Sequence, residues 1–148
     1  MSRGISERVV AERARWVRQM LTDLESLPLE EPEAFFTDRR NVWAAESCLR
    51  RALEALLDLG RHILAKGFGL AASEYKEIPR LLAEQGVLAP DEAQLLRDMA
   101  GYRNRMVHFY HEITPEELYS LCRDRLGDIE RLLEILLSWC RSRAPART

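Results

Sequence analysis

Cysteine is too scarce and too scattered in this chain to form a disulfide framework or a zinc site. The 148 residues contain three cysteines, Cys48, Cys122 and Cys140, and no Cys-x-x-Cys pair. An odd number of widely spaced cysteines indicates neither a disulfide framework nor a zinc site. Each cysteine lies in a helical apolar pattern, so we expect three small core residues.

Glycine, proline and long apolar runs are also scarce. The sequence has 7 Gly and 6 Pro, with 47% hydrophobic and 31% charged residues, which is typical of a helix-rich folded protein. No apolar stretch reaches the roughly 18 residues of a membrane span. We therefore expect a cytoplasmic protein without a membrane segment, with one domain over residues 1–142 and a frayed tail over residues 143–148.

Lysine is nearly absent, since Lys66 and Lys76 are the two lysines among 22 basic residues. A GC-rich genome explains this bias as well as phosphate binding does. The formal net charge of −2 argues against non-specific coating of nucleic acid. The charge is nevertheless segregated: residues 23–33 carry five acids and no base, whereas residues 97–111 carry three arginines and one acid. An anionic substrate could still be drawn to one region.

Apolar residues at three- and four-residue spacing predict helices along most of the chain. We predict helices over residues 4–26, 33–65, 73–84, from 90 to a break at 112–115, and over 115–141. No internal repeat or strand pattern occurs. The fold prediction is therefore all-α, an up-and-down bundle of four to five helices.

Glycines and capping residues predict where these helices begin and end. Gly67 and Gly69 are expected to end the second helix, and Ser73 to cap the third. Thr114 precedes Pro115 and is expected to cap the last helix.

The second helix carries apolar residues on more than one face, because Trp43, Leu57 and Leu64 lie off its main stripe. A helix that is apolar on two sides needs two layers of neighbours. In so small a domain this favours a homodimer.

The stretch that looks selected for chemistry is Gly101–Ile113, which reads Gly-Tyr-Arg-Asn-Arg-Met-Val-His-Phe-Tyr-His-Glu-Ile. In an unbroken helix Asn104 and His108 share a face, and Arg103 lies about 140° from His108 but is long enough to reach it. One surface could then present a guanidinium, an amide and an imidazole. Tyr110 is better placed if the helix ends near His108.

These groups suit cleavage of RNA without a metal. An imidazole exchanges protons near neutral pH, and a guanidinium can stabilise the charge of a pentacoordinate phosphorus. Only Asp98 and Glu112 flank the motif, so no magnesium site is expected. One histidine does not readily serve as both base and acid, and a twofold dimer would supply a second copy.

Spacing alone also fits a simpler interpretation. A histidine at a helix end is commonly solvated or interacts with the helix dipole. Arg103 and Arg105 could pair with Asp98 or Glu112 on the surface. The remaining aromatic and histidine residues could be ordinary core or surface groups, namely Tyr102, Phe109, Tyr110 and His62.

The order Arg-Asn-x3-His-x-Tyr at Arg103, Asn104, His108 and Tyr110 resembles the signature of the HEPN (higher eukaryote and prokaryote nucleotide-binding) domains, specifically their HepT toxin branch. The block from Tyr75 to Tyr119 is similar to that family's central region. It includes Met-Ala-Gly-Tyr-Arg-Asn-Arg-Met-Val-His-Phe-Tyr and Ile-Thr-Pro-Glu-Glu-Leu-Tyr. The likeness extends over about residues 4–140.

The resemblance implies a HEPN-like homodimeric bundle that acts as a metal-independent endoribonuclease, the toxin of a toxin–antitoxin pair, without a cofactor. Arg103 and His108 would be catalytic, and Asn104 and Arg105 would bind or orient the RNA. A minimal nucleotidyltransferase (MNT) antitoxin would neutralise the protein by adenylylating Tyr110. Many HEPN domains do not catalyse, so the alternative is a module that binds a nucleotidyltransferase or a nucleotide.

Overall fold

Seven helices make up the part of the chain that the computed structural model describes, residues 4–108 and 113–143. They are α1 (Glu7–Glu25), α2 (Pro32–Thr37), α3 (Arg39–Phe68), α4 (Glu77–Glu84), α5 (Pro90–His108), α6 (Pro115–Asp124) and α7 (Leu126–Ser142). The described ranges contain no strand, in agreement with the all-α prediction. None of their helices is long and apolar enough to cross a bilayer.

Seven helices appear instead of four to five because two predicted helices each break in two. Asp38 interrupts the predicted helix 33–65 with an extended backbone (φ −109°, ψ 109°), and its carboxylate accepts the N–H of Arg40 to cap α3. Arg125 (φ −114°, ψ 3°) separates α6 from α7 within the predicted helix 115–141. Apolar spacing continues across both breaks, so periodicity alone did not reveal them.

The predicted helix ends are partly confirmed. Gly69 adopts the left-handed conformation (φ 66°) that ends α3, whereas Gly67 lies inside the helix. A Cβ on Gly67 would stand 3.1 Å from the Trp139 ring, so this glycine allows α7 to approach closely. Ser73 does not cap α4, which begins only at Glu77. The Thr114 hydroxyl does cap α6 by accepting the Glu117 N–H at 3.1 Å.

Helix α3 is the centre of the bundle and contacts each of the other six helices. Leu57 and Leu64, which were expected to need a second chain, are both 0% exposed within this one. Leu57 and Leu64 therefore need no second chain to cover them, and the homodimer stays a prediction. Trp43 is the exception in that set, since it is 62% exposed.

The three cysteines are free thiols. Cys122 and Cys140 are buried core residues as predicted, and Cys48 is partly buried against the same core. Burial raises the pKa of Cys122 to about 12 and that of Cys140 to about 11. Both therefore remain unreactive thiols at neutral pH. The predicted frayed tail lies outside the described residues except for Arg143.

Candidate active site

Arg103 of α5 is held in place by contacts from three directions. Its Nε and Nη2 both lie 2.9 Å from Oε2 of Glu54 on α3, and its Nη1 donates to Oδ1 of Asn104 at 3.1 Å. The side chain is only 18% exposed. A guanidinium that is fixed in this way loses little conformational freedom when it binds an anion.

Glu54 is shared between two arginines, which leaves the cluster positive. Its Oε1 lies 3.1 Å from Nη1 of Arg50, one turn earlier on α3, while Oε2 holds Arg103. Two guanidinium charges therefore face one carboxylate. This net charge of +1 in a half-buried setting favours an anion such as a phosphate.

Tyr75 forms the third wall of the Arg103 site, from the segment before α4. Its ring lies 4.6 Å from Cζ of Arg103 and 4.7 Å from Cζ of Arg61. Its hydroxyl donates to Oδ1 of Asp58 at 2.8 Å, and Asp58 also pairs with Arg61 at 3.3 Å. Burial and the Asp58 carboxylate raise the pKa of Tyr75 to about 12, so it stays a neutral phenol. The cation–π contact thus orients Arg103.

Arg105 has a different setting from its neighbour. Its Nη1 and Nη2 bind the two carboxylate oxygens of Glu117 at 2.9 and 2.7 Å and so join α5 to α6. Asp98 was one of the two acids expected to pair with Arg103 or Arg105 in the simpler interpretation. Its carboxylate accepts a hydrogen bond from Gln94 instead. The other acid, Glu112, lies outside the described residues. The predicted role of Arg105 in binding RNA stays a prediction.

His108 is the last residue of α5, so one continuous helix carries Arg103, Asn104, Arg105 and His108. The four-residue spacing places the backbones of Asn104 and His108 on one face of that helix. The side chain of His108 and the whole of Tyr110 lie outside the described residues. The meeting of Arg103 with His108 therefore stays a prediction.

Sequence reasoning missed the groups that position Arg103, because they come from distant parts of the chain. A signal for them exists on α3, where Arg50, Glu54, Asp58 and Arg61 follow one another at spacings of four, four and three. That pattern is a charged stripe opposite the buried face.

His62 was expected to be an unassigned surface residue, but it has a structural contact. It accepts the backbone N–H of Ser6 at 3.0 Å through Nε2 and so ties the start of α1 to the end of α3.

A separate concave surface lies between the α1–α2 connection and the α6–α7 junction. This cavity of about 530 Å³ is lined by Glu25, Glu30, Glu31 and Asp124 against one base, Arg123. Its acidic lining would repel RNA. Within the described ranges, no group of three or more His, Cys, Asp or Glu side chains is arranged to hold a metal ion.

Comparison with known proteins places this chain in a family. The family model of the HepT-like ribonucleases matches residues 17–136 of the chain. The chain belongs to this family. A curated relative, the mRNA nuclease HepT of Shewanella oneidensis, is 27% identical to this HepT-like chain over 89 residues. That alignment covers 60% of the chain and 66% of the relative, slightly less than two thirds of its length.

Solved structures share the fold of this HepT-like chain. The tri-AMPylated HEPN toxin of Shewanella oneidensis, in complex with its MNT antitoxin, matches with a TM-score of 0.80 and 18% identity over 90% of this chain and 99% of the toxin. YutE of Bacillus subtilis, a cytosolic protein of unknown function, matches with a TM-score of 0.80 and 16% identity over 98% of both chains. At such identities the likeness concerns the fold alone.

Proposed function

We propose that this HepT-like protein is an endoribonuclease toxin that cleaves RNA without a metal ion. The observation that carries the proposal is the setting of Arg103, which lies about one and a half helical turns before His108 on α5. Arg103 is oriented by Glu54, Asn104 and Tyr75 within a cluster of net positive charge. The family match over residues 17–136 supports the same activity.

The proposed reaction is attack by a ribose 2′-hydroxyl on the adjacent phosphorus. His108 takes the 2′-hydroxyl proton, the O2′–P bond forms and the P–O5′ bond breaks. Arg103 stabilises the added negative charge on the phosphoryl oxygens. A proton is delivered to the leaving 5′-oxygen, so the products are a 2′,3′-cyclic phosphate and a 5′-hydroxyl.

A second copy of the chain completes this chemistry. The reaction needs a base and an acid, and one chain offers a single motif histidine at His108. In a twofold homodimer the second His108 supplies the other proton transfer, and both copies of Arg103 face one groove.

Regulation of the activity is proposed to act on Tyr110. A nucleotidyltransferase antitoxin of the MNT type transfers an adenylyl group from a nucleoside triphosphate to its hydroxyl and releases pyrophosphate, in line with the tri-AMPylated state of the similar Shewanella oneidensis toxin. The added phosphate lies two residues from His108 in sequence, where it would occupy the anion site and repel RNA.

One observation favours a second candidate function, a non-catalytic module that binds a nucleotidyltransferase or a nucleotide. The three side-chain nitrogens of Arg103 already have partners in the chain, Glu54 and Asn104. An arginine with this many internal contacts can also serve structure alone.

The deciding experiment is an RNA cleavage assay in excess EDTA, with the products' ends analysed. We expect the wild type to cut RNA and leave cyclic phosphates. Arg103→Ala and His108→Ala should each lower kcat/KM by about 100-fold or more, as removal of a charge-stabilising or proton-transferring group does. The matched control is Arg97→Ala, which removes an exposed arginine of the same helix whose side chain hydrogen-bonds to Gln94 alone among the described residues.

Cleavage that persists in both motif variants, or stops when EDTA is added, contradicts the proposal. An inactive wild type should be weighed intact, because extra adenylyl mass identifies a silenced enzyme. An inactive protein without added mass favours the binding module.

A further inference from the structure

One face of α3 leads from the Arg103 cluster to an exposed tryptophan. Trp43 precedes Glu54 by eleven residues, which brings it back to within about 20° of the same side of the helix. Arg39 and Arg50 lie on this side within about 60° of Glu54. We name Arg39, Trp43, Arg50 and Glu54 the α3 stripe.

The stripe is covered at one end and open at the other. Glu54 is held by Arg103 of α5, and its side chain is 23% exposed. Trp43 is 62% exposed and is the most exposed large apolar residue in the described part of the chain. Its Cα lies about 16 Å from that of Glu54 along the helix axis. A few nucleotides of single-stranded RNA span this distance.

Helix α5 runs toward Trp43 as it approaches its C-terminal end. Its start contacts α7 through Asp91 and Arg131, and its later part through Tyr102 and Arg125, so α5 and α7 are antiparallel. The end of α7 meets the end of α3, where Trp139 packs on Phe68. α5 is therefore antiparallel to α3, and the backbone from Asn104 to His108 lies closer to the Trp43 end than Arg103 does.

The side chains of the α3 stripe are better suited to binding RNA than to binding an apolar protein surface. Arg39 is exposed one turn before Trp43 and makes no ion pair with the described residues. Arg40 and Arg51 also lie within about 60° of Glu54, and Arg40 pairs with Asp38. With Arg39, Arg50 and Arg103, the surface carries five guanidinium groups against three carboxylates, those of Asp38, Glu46 and Glu54. A lone tryptophan among arginines is typical of surfaces on which a nucleobase stacks while cations contact the phosphates.

We propose that Trp43 is a base-stacking subsite for single-stranded RNA, at a nucleotide a short distance from the phosphate that Arg103 contacts. The subsite rests on the proposed ribonuclease function and adds a determinant of substrate binding to it. Arg39 contacts the backbone beside the stacked base. The stacking itself tolerates any base, because every base has a π-face.

The test measures binding of labelled 12-nucleotide RNA with 2′-O-methyl groups throughout, which cannot undergo 2′-hydroxyl attack. Trp43→Ala should raise Kd by about 5- to 100-fold, and Trp43→Phe should retain most of the affinity. Trp16→Ala is the matched control, because Trp16 is also exposed, at 41%, but lies on α1. It should leave Kd unchanged.

A scan with abasic nucleotides locates the stacked base. One abasic position should weaken binding to the wild type but not to Trp43→Ala, which is the signature of a direct interaction in a double-mutant cycle. Equal effects of every abasic position in both proteins overturn the subsite.

The subsite is also overturned if Trp43→Ala binds the RNA with the wild-type Kd. If the Kd is unchanged while the mass of the protein assembly changes, Trp43 lies in a contact between copies of the chain instead. Cleavage of unmodified RNA is measured in parallel. Unchanged kcat/KM in Trp43→Ala rejects the subsite and leaves the ribonuclease proposal standing. Absence of cleavage by a wild-type protein that carries no added adenylyl mass rejects the ribonuclease.

Discussion

At the scale of single residues, the site depends on what surrounds Arg103 as much as on the motif itself. The Glu54 carboxylate fixes the guanidinium on one side and the Tyr75 ring on another. Because Arg50 shares Glu54, that carboxylate does not cancel the local positive charge. The proposed phosphate site at Arg103 therefore keeps a net positive charge while Glu54 stays in place.

Tyr75 contributes both a hydroxyl group and an aromatic ring, and two different substitutions test these contributions separately. Tyr75→Phe removes the hydrogen bond to Asp58 but keeps the ring against Arg103, so it should cost about 0.5–1.5 kcal/mol of unfolding free energy and preserve cleavage. Tyr75→Leu removes the ring and lets Arg103 move, so kcat/KM should fall by about 10- to 100-fold. Urea unfolding and the cleavage assay measure the two effects. Equal activity of the two variants would show that the ring does not orient Arg103.

At the scale of elements, the distance between α3 and α4 decides where Tyr75 can stand. Gly60 of α3 faces α4 so closely that a Cβ would lie 2.8 Å from Cγ2 of Ile78 and 3.1 Å from Cδ1 of Leu82. Ile78 and Leu82 are both 0% exposed, so neither can move into solvent. The segment that carries Tyr75 leads directly into this contact.

Two glycine-to-alanine substitutions should therefore have opposite effects. Gly60→Ala should lower the unfolding free energy, because overpacking costs about 1–3 kcal/mol and exceeds the helix-propensity gain of up to about 1 kcal/mol. Gly101→Ala in α5 should raise it by about 0.5–1 kcal/mol, because nothing lies within 4 Å of the added Cβ. Chemical unfolding of both proteins checks this. A higher unfolding free energy for Gly60→Ala would mean that α4 shifts readily to accommodate the added methyl group.

At the scale of the whole molecule, a histidine joins the first helix to the end of the central one. The N–H of Ser6, the residue that caps α1, donates to Nε2 of His62. This bond requires an unprotonated nitrogen. Burial, assisted by the positive charges of Lys66 and Arg13, lowers the pKa of His62 below its usual 6.5.

Stability should therefore fall in mild acid. Because folding lowers the pKa of His62, the unfolded chain binds the proton more readily than the folded protein does. The contribution of His62 to the unfolding free energy is therefore complete above pH 6.5 and is lost as the pH drops below that value. His62→Gln keeps an acceptor for Ser6 but does not titrate. Unfolding free energies of both proteins between pH 8 and 5 should diverge below about 6.5. Parallel curves would contradict the assignment, since the other histidines are common to both.

Local sequence features determined much of this protein. Apolar spacing specified helices throughout the described chain, Thr114 and Gly69 specified helix ends, and the Arg103–Tyr110 motif indicated the family. These properties depend on residues a few positions apart, whose relation is set by the helical repeat. The breaks at Asp38 and Arg125 escaped detection because the core accepts apolar residues from both sides of each break.

Tertiary structure alone decided which distant groups meet. Arg103 packs on Tyr75 and pairs with Glu54 because α3, α4 and α5 bury their apolar faces together, and that packing brings side chains 28 and 49 positions apart into contact. It also buried Leu57 and Leu64 and left Trp43 exposed, although all three lie off the main stripe of one helix. Periodicity assigns a residue to a face, but the neighbours that cover that face are chosen by the packing of the whole chain.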